Sequence, residues 1–174
     1  MKLFLLPLML VLFSTCWAQK DSLLVSHNLL SYEVGANIWD PPCVNLNYHR
    51  LIRVEPEVAI NLRAGVATFK YFNSSRHLTF PLEAGILLGR RYLKFDSSLG
   101  YTAQFNLTPR TDSQNKYDQY IAIRFGLAGI PFKRFYPMFR LAVTPLFFPG
   151  GVETDDGKTK NVLFWAGASI GISI

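Results

Sequence analysis

A two-residue rhythm runs through nearly the whole chain. In Val58-Ala59-Ile60-Asn61-Leu62-Arg63-Ala64-Gly65-Val66 every even position is apolar, and every odd position is polar or small. Alternation of this kind sends successive side chains to opposite faces, so it specifies half-buried β-strand. After the N-terminal segment, no stretch offers the long apolar run of a membrane helix, and none keeps a 3.6-residue period. The chain is thereby constrained to an all-β fold. What remains open is which face of each strand meets water.

The rhythm predicts eight strands: Leu30–Trp39, Val44–Val54, Glu57–Phe69, Leu78–Gly89, Tyr92–Asn106, Gln119–Ile130, Phe135–Phe148 and Asn161–Ile174. The connections after the second, fourth and sixth are tight (Glu55-Pro56, Arg90-Arg91 and Pro131–Arg134). Those after the third, fifth and seventh are longer and polar (Lys70–His77, Leu107–Asp118 and Pro149–Lys160). The first connection, Asp40-Pro41-Pro42-Cys43, breaks that pattern by being short. An even number of strands joined by alternating short and long connections is the layout of an antiparallel up-and-down transmembrane β-barrel. Each segment is also long enough, since a tilted strand crosses hydrocarbon in about 9–11 residues.

Face assignment decides between a membrane barrel and a soluble sandwich or lipocalin-like barrel. One face is apolar throughout, as in Leu78, Phe80, Leu82, Ala84, Ile86 and Leu88 of the fourth strand. Arg50 is the charge that falls on this face, near a strand end where it can snorkel. The opposite face holds Asn45, Asn47, His49, Asn61 and Gln104 together with the strand charges. Glycines recur among them, at 35, 65, 85, 100, 126, 167 and 171. Glycine weakens a strand and calls for close approach of another group. A solvent face supplies no such group, whereas a narrow lumen does. The apolar face is therefore expected to meet lipid, with aromatic residues at the strand ends (Tyr32, Phe80, Phe95, Phe105) as interfacial girdles.

Residues 1–18 are read as a secretory signal peptide: Lys2, an apolar run from Leu3 to Phe13, and Cys16-Trp17-Ala18 before Gln19. Cys16 invites comparison with a lipoprotein acylation site, but Thr15 is a poor match to that motif. Removal of the signal takes one basic residue from the 18, leaving 17 against 12 acidic side chains. That modest surplus suits an anionic lipid surface, and no basic run points to nucleic acid. Cys43 is then the only cysteine, which leaves no intramolecular disulfide.

With the signal ending at Ala18-Gln19, the outward apolar alternation and the closing strand Ala166-Gly167-Ala168-Ser169-Ile170-Gly171-Ile172-Ser173-Ile174, the chain resembles the small eight-stranded outer-membrane β-barrel proteins of Gram-negative bacteria. The resemblance covers residues 30–174 and implies a periplasmic segment over 19–29 and both termini on the periplasmic side. It also implies export across the inner membrane to the cell outer membrane, insertion by the barrel-assembly machinery, and contact with outer-membrane lipid and lipopolysaccharide. The family's last strand usually ends on an aromatic residue, where this chain has Ile174.

Eight strands enclose a lumen just wide enough for side chains to fill. The charges directed into it are Glu33, Arg53, Arg63, Glu83, Lys94, Asp96, Arg124 and Arg140. An unpaired buried ion costs several kcal/mol, so these are expected to form a network. Arg63 and Glu83, on neighbouring strands, are the first pair. Arg124 and Arg140 require Asp96, Glu33 or water between them. A surplus of bases would favour a narrow anion-preferring pore.

No HExxH, paired-histidine spacing or acidic cluster indicates a metal, and no cofactor signature is present. Glu153, Asp155 and Asp156 lack the full ligand set of a calcium loop. His49-Arg50-Leu51 and His77-Leu78-Thr79 do not match the His-x-Ser of a barrel deacylase. Ser74, Ser75, His77, Asp112 and Asp118 hold the residue types of an acyl-transfer triad at the outer rim, with no motif to mark them. The sequence thus points to a monomeric, non-enzymatic barrel acting through its outer loops. A small-solute pore is the alternative and a lipid A-modifying enzyme the third reading.

Overall fold

The computed structural model describes residues 26–37, 40–70, 76–89, 92–107, 117–130, 137–153 and 159–174. The segments read as signal peptide and as most of the long loops lie outside these residues. Eight strands follow in order: β1 Ser26–Asn37, β2 Asp40–Glu55, β3 Val58–Lys70, β4 Arg76–Leu88, β5 Leu93–Asn106, β6 Tyr117–Gly129, β7 Pro137–Glu153 and β8 Thr159–Ser173. Each pairs antiparallel with the next. β1 and β8 close the barrel, in register from Leu29↔Ser173 to Ala36↔Ala166. Closure removes both free edges, so strand backbones find partners without water, as a bilayer requires.

Burial follows the predicted parity. The even-numbered side chains of β4 point outward, as Phe80, Leu82, Ile86 and Leu88 do, and Leu99 and Leu141 are about 60% exposed on the same surface. Glu33, Asn47, His49, Arg63, Glu83, Asp96, Arg124 and Arg140 are buried inside. At mid-height the usual arrangement is inverted: large apolar groups lie outside and ionised groups within.

Three boundaries differ from the sequence reading by four residues or more. β1 begins at Ser26, four residues before Leu30. Asp40-Pro41-Pro42-Cys43, read as a connection, opens β2, with Asp40 opposite Asn37 and Cys43 opposite Gly35. Two prolines hide a strand start because they contribute no N–H to a ladder. β7 likewise runs past Pro149 to Glu153, absorbing a register shift between Phe147 and Val152. Gly151 lies in that shift at φ 70°, where a side chain is disfavoured.

Pro81 and Pro145 each stand mid-strand beside a gap in one ladder. The β3–β4 pairing runs from Val58↔Leu88 to Ala64↔Leu82 and resumes at Ala67↔Thr79, beyond Pro81. The β6–β7 register is interrupted between Ala122↔Leu146 and Phe125↔Val143, around Pro145. Each proline keeps its register partner on the other side (Pro81↔Thr102, Pro145↔Phe164), so the second ladder continues past it.

The interior is layered. At the tight-turn end Leu29, Leu51, Ala59, Leu87, Ala128, Ile130 and Met138 form an apolar cluster. At the opposite, loop end Ala122, Leu146, Phe148 and Leu163 form another, with Tyr120 and Trp165 packed against it. The polar side chains occupy the space between.

Candidate functional site: the lumen charge cluster

Four strands meet in one buried ring of charges. Arg63 on β3 and Glu83 on β4 are register partners, and Arg63 Nη2 donates to Glu83 Oε1. Arg63 Nη1 reaches across to Glu33 Oε2 on β1 at 2.6 Å. Arg124, on β6, closes the ring from the other side: Nη1 lies 2.8 Å from Glu33 Oε1 and Nε 3.2 Å from Glu83 Oε2. Each carboxylate therefore faces two guanidinium groups, and each guanidinium faces two carboxylates. Ser98 Oγ adds a bond to Glu83 Oε2 at 3.1 Å, and Asn47 Nδ2 a longer one to Glu33 Oε2 at 3.4 Å. Planar guanidinium forks suit such paired acceptance.

Bare backbone makes room for the ring. A Cβ on Gly100 would collide with Glu83 Cγ and come within 2.9 Å of Leu82 O. One on Gly167 would stand 3.1 Å from Glu33 Oε1. The glycines thus cradle the carboxylates, a pairing that parity alone does not reveal.

Toward the tight-turn end lie two further polar units. Arg140 Nε sits 2.7 Å from Asp96 Oδ2, both side chains fully enclosed, in a contact of charge without aligned hydrogen bonding. His49 bridges Ser31 and Asn61: Nδ1–H donates to Asn61 Oδ1 at 3.2 Å, which leaves Nε2 to accept from the Ser31 hydroxyl at 2.8 Å.

Arg53 and Lys94, expected in the lumen network, stand at its tight-turn end and away from the ring, with Lys94 buried there. Arg53 is half-buried at the tight turn and donates to the carbonyls of Glu55 and Pro56 at 3.4 and 3.3 Å. Lys94 Nζ donates to Gly89 O at 2.8 Å in the neighbouring turn. The reason is height: both stand at strand ends, where turn carbonyls are within reach. Six of the predicted charges remain in the middle layer, and they balance, with Glu33, Glu83 and Asp96 against Arg63, Arg124 and Arg140. A cavity of about 70 Å³ adjoins the ring and the loop-end apolar layer, with Glu33, Arg63, Arg124, Tyr120 and Trp165 in its wall.

His77 is buried and inward-facing, with its Nδ1 accepting from Gln104 Nε2 at 3.1 Å. Ser74, Ser75 and Asp112 lie outside the described residues, as does the side chain of Asp118. Among the described residues no cluster of three or more His, Cys, Asp or Glu is placed to hold a metal.

The sequence reading missed the two apolar layers, Asn61 and Ser31 as partners of His49, and Ser98 and Asn47 as partners of the ring. Parity carries the signal for all of them. Leu51, Leu87 and Met138 occupy inward positions near strand ends, where a polar rhythm gives way to an apolar residue.

By fold, this is a small eight-stranded barrel of the outer-membrane type. The N-terminal β-barrel domain of OprF from Pseudomonas aeruginosa is similar, with a TM-score of 0.59 at 14% identity, covering 86% of this chain and 98% of that one. Neisserial surface protein A is also similar, with a TM-score of 0.51 at 8% identity, covering 86% and 96% respectively. At these identities the likeness is one of fold. No protein-family model and no curated protein matches the sequence.

Proposed function

We propose that the protein is a non-enzymatic barrel of the bacterial outer membrane, structural or interactive in role, whose working surface is its loop end. The carrying observation is the filled interior: a charge-balanced middle layer between two apolar clusters. Such a lumen supplies rigidity and leaves recognition to the connections between strands. The start of β1 at Ser26 and the end of β8 at Ser173 share an end with the tight turns, and on this reading that end faces the periplasm. Bilayer lipid, lipopolysaccharide and the barrel-assembly machinery are the partners this placement implies, with the barrel acting as a monomer.

The first test is expression into outer membranes followed by SDS electrophoresis with and without boiling. A band that shifts on heating, with protease access at the 107–118 connection of whole cells, supports the reading. A soluble, unshifted protein refutes it. Deleting residues 108–116 should then abolish binding to cells or lipopolysaccharide without loss of the heat shift.

A second reading, a narrow pore, is favoured by the cavity beside the ring. It requires a wet path past both apolar layers, and planar-bilayer conductance that changes on Arg124→Gln would support it.

A further inference from the structure

The lipid-facing surface carries a polar cluster that the filled lumen does not explain. On adjacent β1 and β2, Asn28 is the register partner of Arg50, and Leu30 of Tyr48. All four project outward. Arg50 Nη1 donates to Asn28 Oδ1 at 2.7 Å, and Tyr48 OH donates to the same oxygen at 2.8 Å. One neutral amide oxygen thus orients a guanidinium and a phenol side by side. The trio contains no acid and so carries one positive charge. A basic side chain on the lipid face of a barrel costs from about 0–1 kcal/mol near the interface to about 2–4 kcal/mol at mid-depth, unless an anion meets it. An ionisable group in such a place is by default a candidate functional site.

Directly above this cluster, toward the loop end, a groove of about 280 Å³ crosses β8, β1 and β2. Leu30, Tyr32, Leu46, Ile170 and Ile172 form its walls, and Ser31 and Gly171 its floor. The walls follow register: Leu30 lies opposite Tyr48 and Ile172, and Tyr32 opposite Leu46 and Ile170. The groove therefore begins one residue pair from the Arg50 cluster and runs toward the middle of the barrel.

A positive fork at the margin of the apolar belt and an apolar furrow leading from it toward mid-depth match an amphiphile with an anionic head and a hydrocarbon tail. We propose that this surface binds one glycerophospholipid of the leaflet at the tight-turn end. Its phosphate would meet the remaining N–H groups of Arg50, beside Tyr48, and one acyl chain would lie along Leu30, Leu46, Ile170 and Ile172. The inference rests on the outer-membrane reading, which supplies the bilayer.

The test uses full-length protein exported to outer membranes, extracted in mild detergent and titrated with phosphatidylglycerol under native mass spectrometry. Wild type is expected to retain one phosphatidylglycerol about tenfold more tightly than Arg50→Gln, the loss typical of one charge-assisted phosphate contact. Diacylglycerol with the same chains should bind both equally weakly. Ile170→Trp, which fills the groove and spares Arg50, should also weaken retention. Equal binding of phosphatidylglycerol by wild type and Arg50→Gln overturns the proposal. Displacement of the lipid by millimolar inorganic phosphate also overturns it, because the site would then read a free anion. Heat-shifted mobility is checked for every variant, and Arg50→Leu, which also removes the charge, replaces Arg50→Gln if the latter fails to assemble. Absence of the shift in wild type defeats the barrel reading, and the lipid site falls with it.

Discussion

Replacing Glu83 by Gln tests the central ring with almost no change of shape. Glu83 accepts from Arg63 Nη2, from Arg124 Nε at 3.2 Å and Nη2 at 3.4 Å, and from Ser98 at 3.1 Å. The substitution leaves Arg63 and Arg124 sharing Glu33 alone, so the enclosed ring moves from neutral to one net positive charge. Breaking a buried pair by removing one partner costs about 3–5 kcal/mol, because the surviving charge stays desolvated. With a denaturant slope of about 2 kcal/mol/M, a loss of 4 kcal/mol moves the urea midpoint down by about 2 M. The assay is reversible unfolding in detergent micelles, followed by tryptophan fluorescence and by the heat-shifted gel band. Arg63→Met combined with Glu83→Leu removes one charge of each sign and leaves Glu33 paired with Arg124. That double variant should recover most of the loss, giving a coupling energy of about 2 kcal/mol or more. A loss below about 1 kcal/mol for Glu83→Gln, or strictly additive single substitutions, would show that water or mobile ions enter the ring and that its charges are not mutually dependent.

Other outcomes follow from the same geometry. Leu99→Arg, outward in the middle of β5, should cost about 2–4 kcal/mol in lipid vesicles, whereas an aqueous exterior would make it nearly neutral, within about 0.5 kcal/mol; unfolding in vesicles measures the difference. Gly100→Val should destabilise by about 1–3 kcal/mol, since its Cβ drives into Glu83 Cγ and Leu82 O, and Gly150→Val, with open space around it, should not. The wild-type barrel should show no steady conductance in planar bilayers, and Arg124→Gln should not create one while both apolar layers stand.

Much of this molecule is legible in single strands. The parity of Ile60, Leu62 and Ala64 against Asn61 and Arg63 assigns two faces without any partner in view, because a pleated backbone forces the alternation. Glu83 opposite Arg63 could be anticipated, being inward positions on consecutive strands joined by one connection. The start of β2 could not: Pro41 and Pro42 look like a turn, and only the pairing of Asp40 with Asn37 and Cys43 with Gly35 makes them strand. Arg53 and Lys94 share the inward parity of Arg63, yet they stand at the tight-turn end and bond carbonyls there.

By itself, then, the sequence determined eight strands, their two faces and an inverted barrel with charges inside, since each of these depends on local alternation and connection length. Only the tertiary structure decided which charges meet. Glu33 and Arg124 are 91 positions apart, on strands that are not neighbours, and they touch because closure folds the sheet across its own lumen. The same closure gathers Leu29, Leu87 and Met138 into one apolar layer. Strand stagger sets the height of each side chain in a barrel, and stagger is a property of the closed sheet that no single strand's rhythm contains.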